Sequence, residues 1–156
     1  MSTGEPAATE SGHGWFGGGP PEKDQATWYL ADGLPYLMTG KAEQKNFEAP
    51  DETRAFEYGA LDLLQIGGAE IGRLTLQPGW RWSDHVKPLA GTDLCEAPHF
   101  QYHVRGTLHI VMTDGAEFDA RPGDVTALPQ GHDAWVVGDE PVVVVDWYGA
   151  SNYARA

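Results

Sequence analysis

Between Pro122 and Trp135 the chain reads PGDVTALPQGHDAW: a turn, a short apolar run, a corner at Pro129-Gln130-Gly131, and a second run opening on His132. Proline fixes one backbone dihedral and glycine frees another, which is what a sharp change of strand direction requires. The same punctuation recurs at Asp32-Gly33, Gly59, Gly67-Gly68, Pro78-Gly79, Gly106 and Asp114-Gly115. It leaves short β-prone runs at 27–30, 34–39, 53–58, 60–66, 69–77, 80–86, 99–105, 107–113, 117–120, 125–128 and 141–148, besides the one that opens on His132. None has a helical period. The pattern predicts an all-β domain, a sandwich or jelly-roll barrel, with 99–105 and 107–113 forming a hairpin on Gly106 and a loop over 87–98. A histidine directly after a corner, as His132 is, sits at the mouth of whatever the strands enclose.

With 156 residues, 41% of them hydrophobic, the chain is long enough for one domain with a real core. Residues 1–25 are rich in Gly, Pro, Ser, Thr and Glu and poor in large aliphatics, so they are predicted to be a disordered tail preceding a domain over 26–156. Trp15-Phe16 is the exception in that tail, a pair able to dock on the domain or a partner; His13 is read as a tail histidine. No apolar run approaches the roughly 20 residues of a spanning helix, and no basic-then-apolar leader is visible, so a cytoplasmic protein is expected.

Ten Lys and Arg against 23 Asp and Glu give a net charge of −13. Nucleic acid and anionic membranes are bound by clustered cations, so both are excluded as partners; the acidity is read as a solubility feature. The lone Cys95 has no internal disulfide partner and cannot supply a thiolate-rich zinc site. It is predicted to be a small buried apolar residue, with a reactive thiol as the alternative.

Gly123, Pro129 and Gly131 stand at the spacing of the second signature motif of the cupin superfamily, and Gly79, His85 and Gly106 fit the first. The region from Leu76 to Trp147 therefore resembles the cupins, small jelly-roll barrels. The resemblance implies a metal-bearing or ligand-binding barrel that pairs as a homodimer. Its departures are specific. Lys87 stands where the second histidine of motif one is expected, and His99 where its glutamate is expected. Ala134 replaces the motif-two histidine, and Gly138 its asparagine.

Strand alternation suggests substitutes. His132 shares a face with Ala134, so it points inward if the family position does; His99, Gln101 and His103 share another face, with Phe100, Tyr102 and Val104 opposite. On a strand over 80–86, Arg81, Ser83, His85 and Lys87 fall together. His85, His99, His103 and His132 are then predicted to line one cavity, a ligand set for zinc or iron, or for nickel or copper. A solvated sheet face is the plainer alternative for these histidines. His109 is expected to face the other way.

The expected ligands of a divalent transition metal are His85, His99 and His132. Gln101 and His103 are expected to orient substrate or move protons, and Lys87 to hold an anionic group. Asp93 and Glu96 are read as solvated loop charges, and Trp80, Trp82, Trp135 and Trp147 as core or pocket walls. The function expected is conversion of a small organic molecule by a cyclase, isomerase or dioxygenase. The alternatives are a metal-free sensing cupin using Lys87, and an interaction module acting through Trp15-Phe16.

Overall fold

A computed structural model describes residues 41–150 and 153–154, together with the backbone of two short strands, β1 (Thr27–Tyr29) and β2 (Pro35–Leu37), which pair antiparallel. The expected disordered tail over 1–25, with His13 and Trp15-Phe16, and the domain start at 26 lie outside the described residues.

The remaining strands are β3 (Glu52–Phe56), β4 (Gly59–Ile66), β5 (Ala69–Leu76), β6 (His99–Arg105), β7 (Thr107–Met112), β8 (Glu117–Ala120), β9 (Val125–Leu128), β10 (His132–Val137) and β11 (Val142–Tyr148). They form a six-stranded sheet in the order β3-β4-β5-β11-β6-β9 and a three-stranded sheet in the order β10-β7-β8, with every pairing antiparallel. The β4–β5 hairpin closes on Gly67-Gly68, both at positive φ (61° and 79°), the backbone that a two-residue turn matched to strand twist demands.

Alternating residues build the core. Leu61, Leu63, Leu74, Leu76, Val142 and Val144 from the larger sheet meet Leu108, Ile110, Ala134 and Val136 from the smaller one. Burial of this apolar surface is the main stabilising term, roughly 25 cal/mol per Å².

The expected hairpin over 99–105 and 107–113 does not form. β6 pairs with β9 and β11, whereas β7 pairs with β8 and β10. Gly106 alone lies between the two strands, and the tightest common hairpin loops need two residues, so the chain passes from one sheet into the other. The corner at Pro129–Gly131 makes the same transfer, from β9 to β10.

The strand expected over 80–86 is also corrected. Residues Trp82–His85 form one helical turn, α1, and the segment expected to be a loop begins with a second turn, α2 (Lys87–Ala90). Trp82 and Val86 explain the difference. They are four residues apart and both buried, a helical spacing that overrides alternation. Among the described residues no helix is long and apolar enough to cross a membrane.

Candidate metal centre

β6 presents its polar side chains to the interior. His99, Gln101 and His103 are 5%, 4% and 0% exposed, while Phe100, Tyr102 and Val104 face outward. The solvated-face alternative therefore fails, because the aromatic face is the outer one. The alternation places His99, Gln101 and His103 on one inner face, as the sequence predicts.

His99 and His132 come together, their ring centroids 5.4 Å apart. The third member of the cluster is Cys95, buried beside them. One ligand atom from each of Cys95, His99 and His132 lies within 4.8 Å of the others. The backbone fixes this meeting: Cys95 N–H donates to the His132 carbonyl at 2.9 Å, and Gly131 N–H donates to the Cys95 carbonyl at 2.7 Å. The loop carrying the thiol is thus tied to the corner carrying the imidazole.

Both imidazoles have fixed tautomers. His99 Nδ1 lies 2.6 Å from Asp146 Oδ2, and His132 Nδ1 lies 3.0 Å from the Pro129 carbonyl oxygen. Carboxylate and carbonyl oxygens only accept, so each Nδ1 carries the hydrogen and each Nε2 is left as the ligand atom. Cys95 Sγ sits 3.6 Å from His99 Nε2. Two ligands of a tetrahedral zinc, one at roughly 2.3 Å through sulfur and one at roughly 2.0–2.1 Å through nitrogen, are separated by about that distance. The residues fit a metal ion.

Asp146 anchors the arrangement. It is fully buried, and its second oxygen accepts from the backbone N–H groups of Phe100 (3.3 Å) and Tyr148 (3.0 Å). Those bonds sit at a register shift between Asp146 and Tyr148, a bulge that turns the carboxylate onto His99. Gly149 completes the bulge at φ 100°, and a Cβ there would lie 1.9 Å from the Pro98 carbonyl oxygen. No larger residue fits so close to His99.

Burial opposes charge on both Cys95 and His99, yet their partners outweigh it. Burial pushes the thiol up, but hydrogen bonds with His132 and His99 hold it at about 6. Burial pushes the His99 imidazole down, and the bond to Asp146, followed by that to Cys95, raises it to about 9. The metal-free cluster is a thiolate–imidazolium pair near neutral pH. Ultraviolet thiolate absorbance of the metal-free protein should therefore be half-developed near pH 6; a midpoint near that of an ordinary cysteine would contradict the geometry.

Of the other expected site residues, only Gln101 lies beside the cluster. His85 lies on α1, where its Nδ1 accepts from the Arg81 backbone N–H at 3.0 Å and its ring packs on Tyr58 at 4.9 Å. It does not join the cluster; the helical turn removes the alternation that had grouped it with the interior. Lys87 opens α2 and pairs with Asp93 at 3.0 Å on the outer surface. His103 is deeper in the barrel, its Nε2 3.0 Å from Thr126 Oγ1, and burial holds its pKa down, so it is neutral. Gln101 does line the cavity beside His99 and His132. His109 faces outward, bonded to Asp119 at 2.7 Å and stacked on Trp135.

Sequence reasoning missed Cys95 and Asp146. Asp146 had a signal: it is in phase with Val142 and Val144, so the alternation that buries the valines also buries the acid. Cys95 lies in a loop without periodicity, and only its position four residues before His99 hinted at a partner.

Two antiparallel sheets enclosing a core, crossed by the Gly-Pro-Gly corner and carrying buried histidines, make this a jelly-roll barrel. The fold is that of the cupin superfamily. No family model and no curated protein matches the chain. Solved structures do. A protein of unknown function from Rhizobium leguminosarum bv. viciae 3841 is 16% identical with a TM-score of 0.50, over 68% of this chain and 94% of that one. Ectoine synthase from P. lautus is 13% identical with a TM-score of 0.50, over 69% and 78%. A cupin-like protein from Thermotoga maritima MSB8 is 14% identical with a TM-score of 0.45, over 70% and 84%. At these identities the likeness is one of fold.

Proposed function

We propose that the protein is a metal-dependent enzyme acting on a small organic molecule, with the ion held by Cys95, His99 and His132. The observation that supports this reading is the pair of imidazoles whose Nδ1 atoms are both occupied by acceptors, leaving the Nε2 atoms free beside a buried thiol, with one ligand atom from each of the three residues within 4.8 Å of the others. Carboxylate or carbonyl partners of this kind orient the ligands of metal sites and raise their basicity. Three protein ligands leave a fourth position open, the pattern of catalytic rather than structural zinc.

A thiolate with two imidazoles suits zinc, ferrous iron or copper. When bound, such an ion supplies Lewis-acid polarisation of a substrate oxygen and, if it is iron or copper, redox chemistry. The chain's own part is to hold the three ligand atoms in register, to keep His99 oriented through Asp146, and to exclude bulk water with Trp80, Trp82 and Tyr153 around the inner cavity. Lys87, the residue of the anion-binding alternative, pairs with Asp93 at the outer surface and is not part of the cluster.

Metal analysis of protein purified both aerobically and anaerobically tests the reading. About one ion per chain, removed by chelation and restored by zinc or ferrous iron, is expected. Protein that takes up no ion under either regime overturns it.

We also propose a homodimer through the outer face of β6, β9 and β11, where Phe100, Tyr102, Val125, Trp147 and Tyr148 are all exposed. Exposed apolar patches of this kind mark association surfaces. Sedimentation should give a dimer that Tyr102→Glu converts to monomer; a wild-type monomer at high concentration would rule it out.

A further inference from the structure

Two cavities adjoin the cluster. The inner one, about 30 Å³, lies against His99, Gln101 and His132 among leucine and valine side chains of both sheets. The outer one, about 270 Å³, is bordered by Cys95, Val86, Ala97 and the exposed Glu96. Trp82 and Tyr153 are the two residues that line both, so their rings stand between the cavities.

The two spaces differ in what they hold. A water molecule needs roughly 10–15 Å³, and an apolar cavity of roughly 150 Å³ accepts benzene. The inner cavity therefore has room for a group of about two non-hydrogen atoms, and the outer one for a whole ring.

Trp82 is built into α1. Val86 N–H donates to its carbonyl at 2.9 Å, and the neighbouring Ser83 N–H donates to Asp133 Oδ1 at 3.1 Å. Tyr153 instead follows the last strand, so its side chain can be shortened without cutting into a sheet. It is nonetheless 5% exposed, with its ring steeply inclined to His99 at 5.4 Å and to Phe56 at 6.1 Å. Its backbone is fixed in that place. The Tyr153 carbonyl accepts from Arg54 Nη1 at 2.9 Å, the Ala150 carbonyl accepts from the same atom at 3.3 Å, and Tyr153 N–H donates to Ala150 at 3.1 Å. Gly72 permits the approach, because a Cβ there would lie 2.6 Å from the Ala150 Cβ. The ring is thus held between the cavities by two aromatic contacts and by its own backbone.

We propose that Tyr153 sets the size limit of the site. Its ring keeps the body of an organic ligand in the outer cavity, on the Cys95 side, and leaves the inner side of His99 and His132 to a group of about two atoms. Shortening the side chain joins the cavities and gives a ring-sized ligand access to both histidines. This rests on reading the cluster as the reactive centre, and it names the residue that decides which part of a substrate reaches it.

Benzene titrated into the full chain, zinc-loaded and metal-free, tests the limit, read from methyl signals in nuclear magnetic resonance. In the wild type, benzene should shift the methyls of Val86 and Ala97 on the outer cavity and leave those of Leu108, Leu128 and Val144 on the inner one in place. In Tyr153→Ala the inner methyls should shift as well. Tyr153→Leu should do the same and keeps the test decisive if Tyr153→Ala does not fold. Tyr153→Phe keeps the ring and loses only the hydroxyl, so it should behave as the wild type. The proposal is overturned by outer methyls that benzene leaves unmoved, or by inner methyls that shift in the wild type or in Tyr153→Phe. Inner methyls that stay in place in the folded shortened variants overturn it equally. A chain that takes up no metal yet shows this pattern sinks the metal reading and keeps the size limit. A chain that binds metal without the pattern sinks only the size limit.

Discussion

Cys95→Ala should leave a folded barrel that no longer holds a stoichiometric metal ion. The side chain is small and buried, so its loss opens little space, while the cluster loses its softest donor. Changes one shell away from a metal ordinarily cost 10–100-fold in affinity, so removing a ligand should cost more than about 100-fold. His99→Ala should match it. His85→Ala and Lys87→Ala should have no effect, because those side chains pack on Tyr58 and pair with Asp93 away from the cluster. Competition against a chromophoric chelator measures all four. Loss of affinity in His85→Ala with none in Cys95→Ala would overturn the assignment.

Asp146→Ala carries the largest expected stability cost. Removing one partner of a buried, hydrogen-bonded charge pair typically costs about 3–5 kcal/mol, because the survivor is left uncompensated. Here the survivor is His99, buried and protonated near neutral pH in the metal-free state. The sign of the pH dependence follows. The folded-state pKa of His99 is raised from 6.5 to about 9, so its electrostatic contribution is fully present below 6.5 and is lost as pH rises through about 9. Denaturant titrations should show the wild-type advantage over Asp146→Ala shrinking across that window; a constant or growing difference would contradict the pairing. Asp146→Asn keeps an acceptor for His99 Nδ1–H. It should be milder in stability and still lose 10–100-fold in metal affinity.

The fold was legible because its determinants are local. Gly67-Gly68, Pro129-Gln130-Gly131 and Asp114-Gly115 specify where strands end, and period-two burial specifies which side faces inward. That logic set the inward face of His99, Gln101 and His103 even though the face is polar and its opposite aromatic. It failed wherever the backbone left the strand conformation. His85 was oriented by an alternation that α1 does not obey, and the pairing on Gly106 was inferred from proximity in sequence when the chain was changing sheets. Cys95 had no periodic frame at all. Asp146 meets His99 across 47 residues of chain, a contact that only the pairing of β6 with β11 produces.

The hydrogen bonds that tie Cys95 to Gly131 and His132 have a consequence for regulation. The thiol loop supplies both a member of the cluster and a wall of a cavity of about 270 Å³ that Trp82, Val86 and Tyr153 also line, so one short piece of backbone borders both. An ion at the cluster and a molecule in the pocket would both bear on that backbone, and any coupling between them would be reciprocal. If a molecule in the pocket tightens the hold on an ion by some factor, the ion tightens the hold on that molecule by the same factor.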